Sequence, residues 1–285
     1  MFLFDSMTVA QWLALVPILR EYYDITTQYY FSILPTATPY SRNAIFSGML
    51  PLEIYKNYPQ YWVFEESGQN RFEEELLKIQ LAKLGFFNKI LFVKISRTDD
   101  LASIENVLLN NECFLSIIII NFLDLLIHSI RTQRLLDEIV NSEQTLIHLT
   151  KIWFTNSEIF NLLAKLRKEN NLIIITSDHG FIKVGHPTVI YGGREISSNL
   201  RYKYGNALRV DEKAAFLVER PEDLMLPVER RGIKFAIAKM DYYFIYPTKF
   251  HEYEATYKYS YQHGGISLEE MILPVAFLTP RIRLV

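Results

Sequence analysis

Short apolar runs rich in β-branched residues alternate along the chain with stretches of helical periodicity. That alternation restricts the fold to the α/β class with a largely parallel sheet, because strands buried on both faces read as continuous apolar runs. The runs "MFLF" (1–4), "ITTQYYFSIL" (25–34), "KILFV" (89–93), "CFLSIIIINF" (113–122) and "LIIITS" (172–177) are expected to be strands, as are "KFAIA" (234–238), "YYFIYP" (242–247) and "LPVAFL" (273–278). Helical patterns occupy 7–20, 41–48, 70–84, 98–110 and, as one long stretch, 133–169. Residues 182–260 are the least regular and are expected to form an insertion over one sheet edge within a single domain spanning 1–285.

Composition supports a sizeable core: 49% of the 285 residues are hydrophobic. Thirty basic residues against 32 acidic ones exclude a generic polyanion binder, though not a local basic pocket. Cys113 is the single cysteine, so no internal disulfide can form and a reducing compartment is expected. The apolar N-terminus lacks a basic n-region and a cleavage site, and Asp5 and Gln11 interrupt it. A cytoplasmic chain with no membrane insertion is expected. Its abrupt start on a strand suggests a fragment of a larger protein.

In open α/β sheets ligands bind beyond the carboxyl ends of the strands, so polar residues at those ends are the site candidates. Asp5 ends the first run, Thr36 and Thr38 follow the second, Asp124 the fourth, and Asp178 and His179 the fifth. "DLLIH" spaces Asp124 and His128 four apart, which puts both on one face of a helix. His263 precedes two glycines and a short apolar strand. Each has a bland alternative: Asp5 and Asp124 as helix caps, "TSDHG" as a polar turn, His263 as a structural imidazole. Together, three Asp, three His and a threonine form a coherent set. Nitrogen and oxygen donors in that mix favour zinc, with manganese or iron as alternatives, and seven donors divide naturally between two ions. Two paired metals could clamp the attacking and leaving oxygens of a phosphoryl displacement, and a threonine hydroxyl needs such activation to act as a nucleophile.

These residues resemble the alkaline phosphatase superfamily and, within it, the PglZ-type domain. The likeness runs from the opening "FLFDS" to the closing "QHGGISLEEMILPV". The segment "YYFSILPTATPYSRNAIFSGMLPLEI" and the closing motif are similar to the C-terminal domain of PorX-type response regulators of the type IX secretion system. The resemblance implies an alkaline-phosphatase-like three-layer sandwich and, if it extends to PorX, an absent upstream receiver domain. It implies a Thr-x-Thr nucleophile segment ten residues before Gly48, with Thr38 as nucleophile and Thr36 beside it. One metal would be held by Asp5, Asp178 and His179, with Thr38 facing it, and a second by Asp124, His128 and His263. After Asp5 the chain reads "SMTVAQW", where PorX-like domains commonly carry a basic and an acidic residue before Gln-Trp. A Cys-x-Pro-x-Arg motif is absent, which disfavours a sulfatase.

The implied activity is a two-zinc phosphodiesterase acting on a nucleotide or oligonucleotide, as the output domain of a two-component regulator of secretion. Arg42 and Asn43 after the nucleophile are expected at the phosphate, and Arg201, with Arg194, Lys203 and Asn206, at the substrate. Two alternatives remain open. A signalling module could keep the metals and bind a protein partner or a second copy through the aromatics of "YPQYWVFEES" and "HEYEATYKYSY", or the enzyme could be a phosphomonoesterase.

Overall fold

The computed structural model describes residues 1–65, 68–96, 98–130, 133–169, 171–193 and 197–281. It divides into two compact units, each discontinuous in sequence: residues 1–31, 88–180 and 272–285 form the first, and 32–87 and 181–271 the second. The stretch expected as an irregular insertion is therefore most of a unit with its own sheet and core.

The first unit carries a six-stranded sheet: β1 (Phe2–Phe4), β2 (Tyr23–Phe31), β3 (Ile90–Ile95), β4 (Leu115–Ile120), β5 (Ile173–Ser177) and β6 (Ile272–Pro280), in the order β2-β6-β5-β1-β4-β3. The neighbours β5, β1, β4 and β3 run parallel, and β6 is antiparallel to both β5 and β2. Parallel pairing explains the composition of the central strands. Phe2, Phe4, Ile118, Ile120 and Ile175 join one apolar cluster with Trp12, Leu15, Phe154 and Leu163. Leu3, Ile117 and Ile119, which point to the opposite face, are buried as well. The helix Val9–Leu19 starts where Thr8 forms a capping box with Gln11. The expected long helix over 133–169 is broken into Arg134–Ile139, Glu143–Thr155 and Glu158–Leu166. The second and third are each opened by a serine whose hydroxyl accepts a backbone N–H, Ser142 from Thr145 and Ser157 from Phe160.

The second unit is built on a three-stranded antiparallel sheet. Strand Ile233–Ala238 lies centrally between Tyr202–Asn206 and Ala215–Val218. Helix Thr38–Ser47 packs with this sheet through Tyr40, which contacts the rings of Tyr202 and Phe235 edge-on. Pro39 near the helix start suits a position that needs no backbone donor, and Gly48 closes the helix with a left-handed φ of 63°. Among the described residues no helix is long and apolar enough to cross a membrane.

Candidate metal centre

Three adjacent parallel strands fix the geometry. Phe4, the last residue of β1, pairs in register with Ile120 of β4 on one side and Ser177 of β5 on the other. The residues that follow, Asp5, the helix Phe122–Ile130 and the Asp178-His179 turn, therefore emerge from neighbouring strand ends.

Asp5, Asp178 and His179 are buried, the last two completely, and their donor atoms all lie within 4.8 Å of one another. His179 Nε2 is 3.6 Å from Asp5 Oδ1 and 3.7 Å from Asp178 Oδ2. Ligands at the usual zinc distance of about 2.1 Å in a tetrahedron stand roughly 3.4 Å apart, so the spacing fits one small cation. The outer hydrogen bonds aim the donors inward. Asp178 Oδ1 accepts the backbone N–H groups of His179, at 3.0 Å, and Ser6, at 3.3 Å, which turns Oδ2 toward the cluster. His179 Nδ1 lies 3.1 Å from the Gly180 carbonyl. A proton on Nδ1 satisfies that contact and leaves the Nε2 lone pair for a metal. Two carboxylates buried this closely also disfavour each other's ionisation, and a divalent cation would offset that repulsion. The donor set fits the metal expected there.

Two serines absent from the sequence-based candidates complete this arrangement. Ser6 takes a left-handed φ of 66° just beyond β1, and its hydroxyl donates to Asp124 Oδ1 at 2.8 Å. Through its N–H and its hydroxyl it contacts both Asp178 and Asp124. Ser177 accepts the Met7 N–H at 2.9 Å and donates to the His179 carbonyl at 2.9 Å, which ties the ligand turn to the residue after Ser6. Beneath the turn, the Tyr30 hydroxyl donates to the Ser177 carbonyl, and burial pushes its pKa well above the ordinary tyrosine value.

Asp124 and His128 lie four residues apart on helix Phe122–Ile130, with Asp124 Oδ1 3.4 Å from His128 Nε2. Both are partly exposed, in contrast to the buried triad.

The remaining candidates belong to the second unit. Thr38 is half-buried as the first residue of its helix, and its carbonyl accepts from Asn70 Nδ2 at 3.0 Å. Thr36, fully buried, donates its hydroxyl to the Gly265 carbonyl at 2.9 Å and accepts the Gly264 N–H at 3.1 Å. It thereby pins the turn directly after His263. The two threonines have separate surroundings, and that of Thr36 is structural.

Several of the residues expected at the substrate, Arg201 above all, are engaged inside this unit. Arg201 is fully buried: Nε and Nη2 donate to Glu270 at 3.2 and 2.5 Å, and Nη1 donates to the Tyr242 carbonyl. Glu270 also accepts the Gly265 N–H at 2.8 Å. Arg201 thus braces the His263-Gly264-Gly265 turn and does not reach solvent. Asn43 gives its amide protons to the carbonyls of Pro39 and Gln69, so neither is left for a phosphate. Arg42 is buried and donates Nε to Glu73 at 2.8 Å, its charge offset by a fully buried carboxylate. Lys203 is buried as well, with Nζ on the Ser197 carbonyl. Asn206 is exposed, and Arg194 lies outside the described residues.

The fold has counterparts among solved structures. The phosphonoacetate hydrolase of Sinorhizobium meliloti 1021 in complex with phosphonoformate superposes with a TM-score of 0.59 at 12% identity, covering 97% of this chain and 88% of that one. The same enzyme with phosphonoacetate gives 0.59 at 11% identity over the same shares. No curated protein sequence matches the chain. These likenesses show the fold, and the alkaline phosphatase-like class comes from the family model. Residues 1–278 match the model of the PglZ alkaline phosphatase-like domain of the BREX system, and the chain belongs to that family.

Proposed function

We propose that this domain is a two-zinc phosphodiesterase that cleaves nucleotide or oligonucleotide diesters through Thr38. The observation that carries the proposal is the buried Asp5, Asp178 and His179 cluster, whose donor spacing suits one small cation. Asp124, His128 and His263 are the residues the family resemblance names for a second ion. Bound zinc would supply Lewis-acid stabilisation of the phosphoryl charge and lower the pKa of a coordinated hydroxyl.

The chain's own residues account for the rest. Thr38 Oγ1 loses its proton and forms a bond to phosphorus as the bond to the leaving oxygen breaks. The leaving oxygen takes up a proton and departs as an alcohol. Water then displaces the threonine, releasing the phosphomonoester and restoring the hydroxyl. Asp178 and His179, fixed by the backbone bonds of Ser6 and Gly180, hold their donor atoms without rearrangement during turnover. In the cell, the PorX-like segments support a role as the output domain of a two-component regulator of secretion.

The test is Thr38→Val, which removes the hydroxyl and keeps the shape. Hydrolysis of bis(4-nitrophenyl) phosphate should fall by about 10³-fold or more, with zinc content unchanged. Full activity in that variant excludes the covalent route. Zinc binding with no cleavage of any diester by the unmodified protein excludes the diesterase.

A further inference from the structure

The Asp178-His179 turn leaves the sheet through one fully buried residue, Ser177, the last of β5. The Ser177 hydroxyl accepts from the Met7 N–H and donates to the His179 carbonyl. Its carbonyl shares a rigid peptide plane with the Asp178 N–H, so whatever holds that oxygen also sets the direction in which Asp178 departs. A buried carbonyl at a strand end needs a donor. The pairing of β6 with β5 runs from Leu278 and Ile173 to Val275 and Thr176, and the next residue of β6 toward the turn is Pro274. Proline has no backbone N–H to give. Thr176 does not take over that task, because its hydroxyl donates to the Pro274 carbonyl at 2.9 Å, against 3.4 Å to the Ser177 carbonyl.

Tyr30 supplies the donor from the far side of β6. It lies on β2, the edge strand that β6 separates from β5, and pairs there with Leu273. Paired residues share a face, and so do residues two apart, which places Tyr30, Leu273, Val275 and Thr176 on one face of the sheet. Across that face the phenol reaches Ser177, whose carbonyl accepts its hydroxyl proton. A carbonyl can only accept, so the direction of this bond is fixed. The contact comes from a side chain and can be removed without disturbing the backbone ladder.

We infer that Tyr30 is a positioning residue of the metal centre, which holds the peptide plane from which Asp178 and His179 reach the ion. It acts through the Ser177 carbonyl. The inference rests on the metal-binding reading of Asp5, Asp178 and His179. The same strand supplies a matched control. Tyr23, near the other end of β2, is fully buried and also donates its hydroxyl to a backbone carbonyl, that of Leu163 in helix Glu158–Leu166. No proposed ligand follows Leu163, so this second bond serves the fold alone.

Tyr30→Phe and Tyr23→Phe each keep the ring and lose one hydroxyl. Circular dichroism checks that each is folded, and competition with a chromophoric chelator gives the zinc affinity. The electronic spectrum of the cobalt(II)-substituted protein reports the ligand geometry. Tyr30→Phe should weaken zinc binding by about tenfold or more and shift the cobalt bands. Tyr23→Phe should do neither, while lowering the melting temperature comparably. The inference is overturned if Tyr30→Phe holds zinc as tightly as the unmodified protein with the same cobalt spectrum. It is also overturned if both variants weaken zinc binding equally, which makes the loss one of general stability. A Tyr30→Phe protein that fails to fold where Tyr23→Phe folds would make the hydroxyl a determinant of the fold and remove the positioning role. Absence of zinc binding in the unmodified protein removes the metal centre and this role with it. Zinc binding indifferent to Tyr30→Phe removes this role alone and leaves the proposed function standing.

Discussion

Ser6 shows how a residue without metal-ligand chemistry can decide the quality of a metal centre. Its backbone N–H bonds Asp178 and its hydroxyl bonds Asp124, so one residue contacts two of the proposed ligands. Outer hydrogen bonds of this kind typically change metal affinity by about 10–100-fold. Ser6→Ala keeps the N–H contact and loses the hydroxyl. Zinc affinity measured by competition with a chromophoric chelator should therefore fall within that range, and an unchanged affinity would show that Asp124 needs no such support. Asp178→Asn separates binding from stability. It removes a ligand charge, so zinc binding should weaken strongly. It also relieves repulsion between buried carboxylates, so the metal-free variant should melt no lower than the metal-free parent, by a margin of about 1 kcal/mol in its favour. If the metal-free variant melts well below the parent instead, those carboxylates are compensated within the protein.

At the scale of elements, the His263 turn depends on space that only glycine leaves. A Cβ at Gly265 would stand 2.2 Å from Arg201 Nη2 and 2.5 Å from its Cζ, and that guanidinium is locked by the buried Glu270. Gly264 has a φ of 114°, and a Cβ there would meet the Tyr202 ring at 2.5 Å. Gly265→Ala should cost about 3 kcal/mol or more in chemical denaturation, because the buried ion pair cannot move aside without losing its partner. A cost below about 1 kcal/mol would mean that the turn is soft. The sequence made some of this legible. The strand ends that carry Asp5, Asp124, Asp178 and His179 stood out because their apolar runs stop abruptly at a polar residue. The structural role of Thr36 was not legible, because its partners Gly264 and Gly265 lie more than two hundred residues away. Arg201 was misread because an arginine in an irregular stretch looks exposed, and its burial depends on a carboxylate 69 positions away. Ser6 and Ser177 gave no signal, since a serine after a strand is commonplace. The breaks in the 133–169 helical stretch were available in Ser142 and Ser157, each placed to cap a new helix.

For the molecule as a whole, the two discontinuous units explain why 182–260 resisted a sequence reading. Its strands are short, those of its three-stranded sheet pair antiparallel, as in Tyr202–Asn206 and Ala215–Val218, and they share a core with Tyr40, Ile54 and Leu76 from the distant segment 32–87. Periodicity within a window cannot show a partner more than a hundred residues away. The six-stranded sheet of the first unit was legible because parallel strands bury both faces and leave long apolar runs. That sheet also links metal occupancy to stability, since β5, β1 and β4 end on the proposed ligands. Ions bound only by the folded form stabilise it by RT ln(1 + [L]/Kd), about 2.7 kcal/mol at a free concentration 100 times Kd. For a chain of this size each kcal/mol moves the melting temperature by about 2–4 °C. Chelation should therefore lower the melting temperature by roughly 5–10 °C, and adding zinc back should restore it. Asp178→Asn should abolish most of the shift. In Thr38→Val the shift should remain nearly complete, because the threonine acts on substrate while the carboxylates and imidazole hold the ion. A melting temperature indifferent to chelation in a protein shown to have lost its zinc would separate the metal centre from the fold. Loss of the shift in Thr38→Val as well would make the threonine a structural ligand and remove it as the nucleophile.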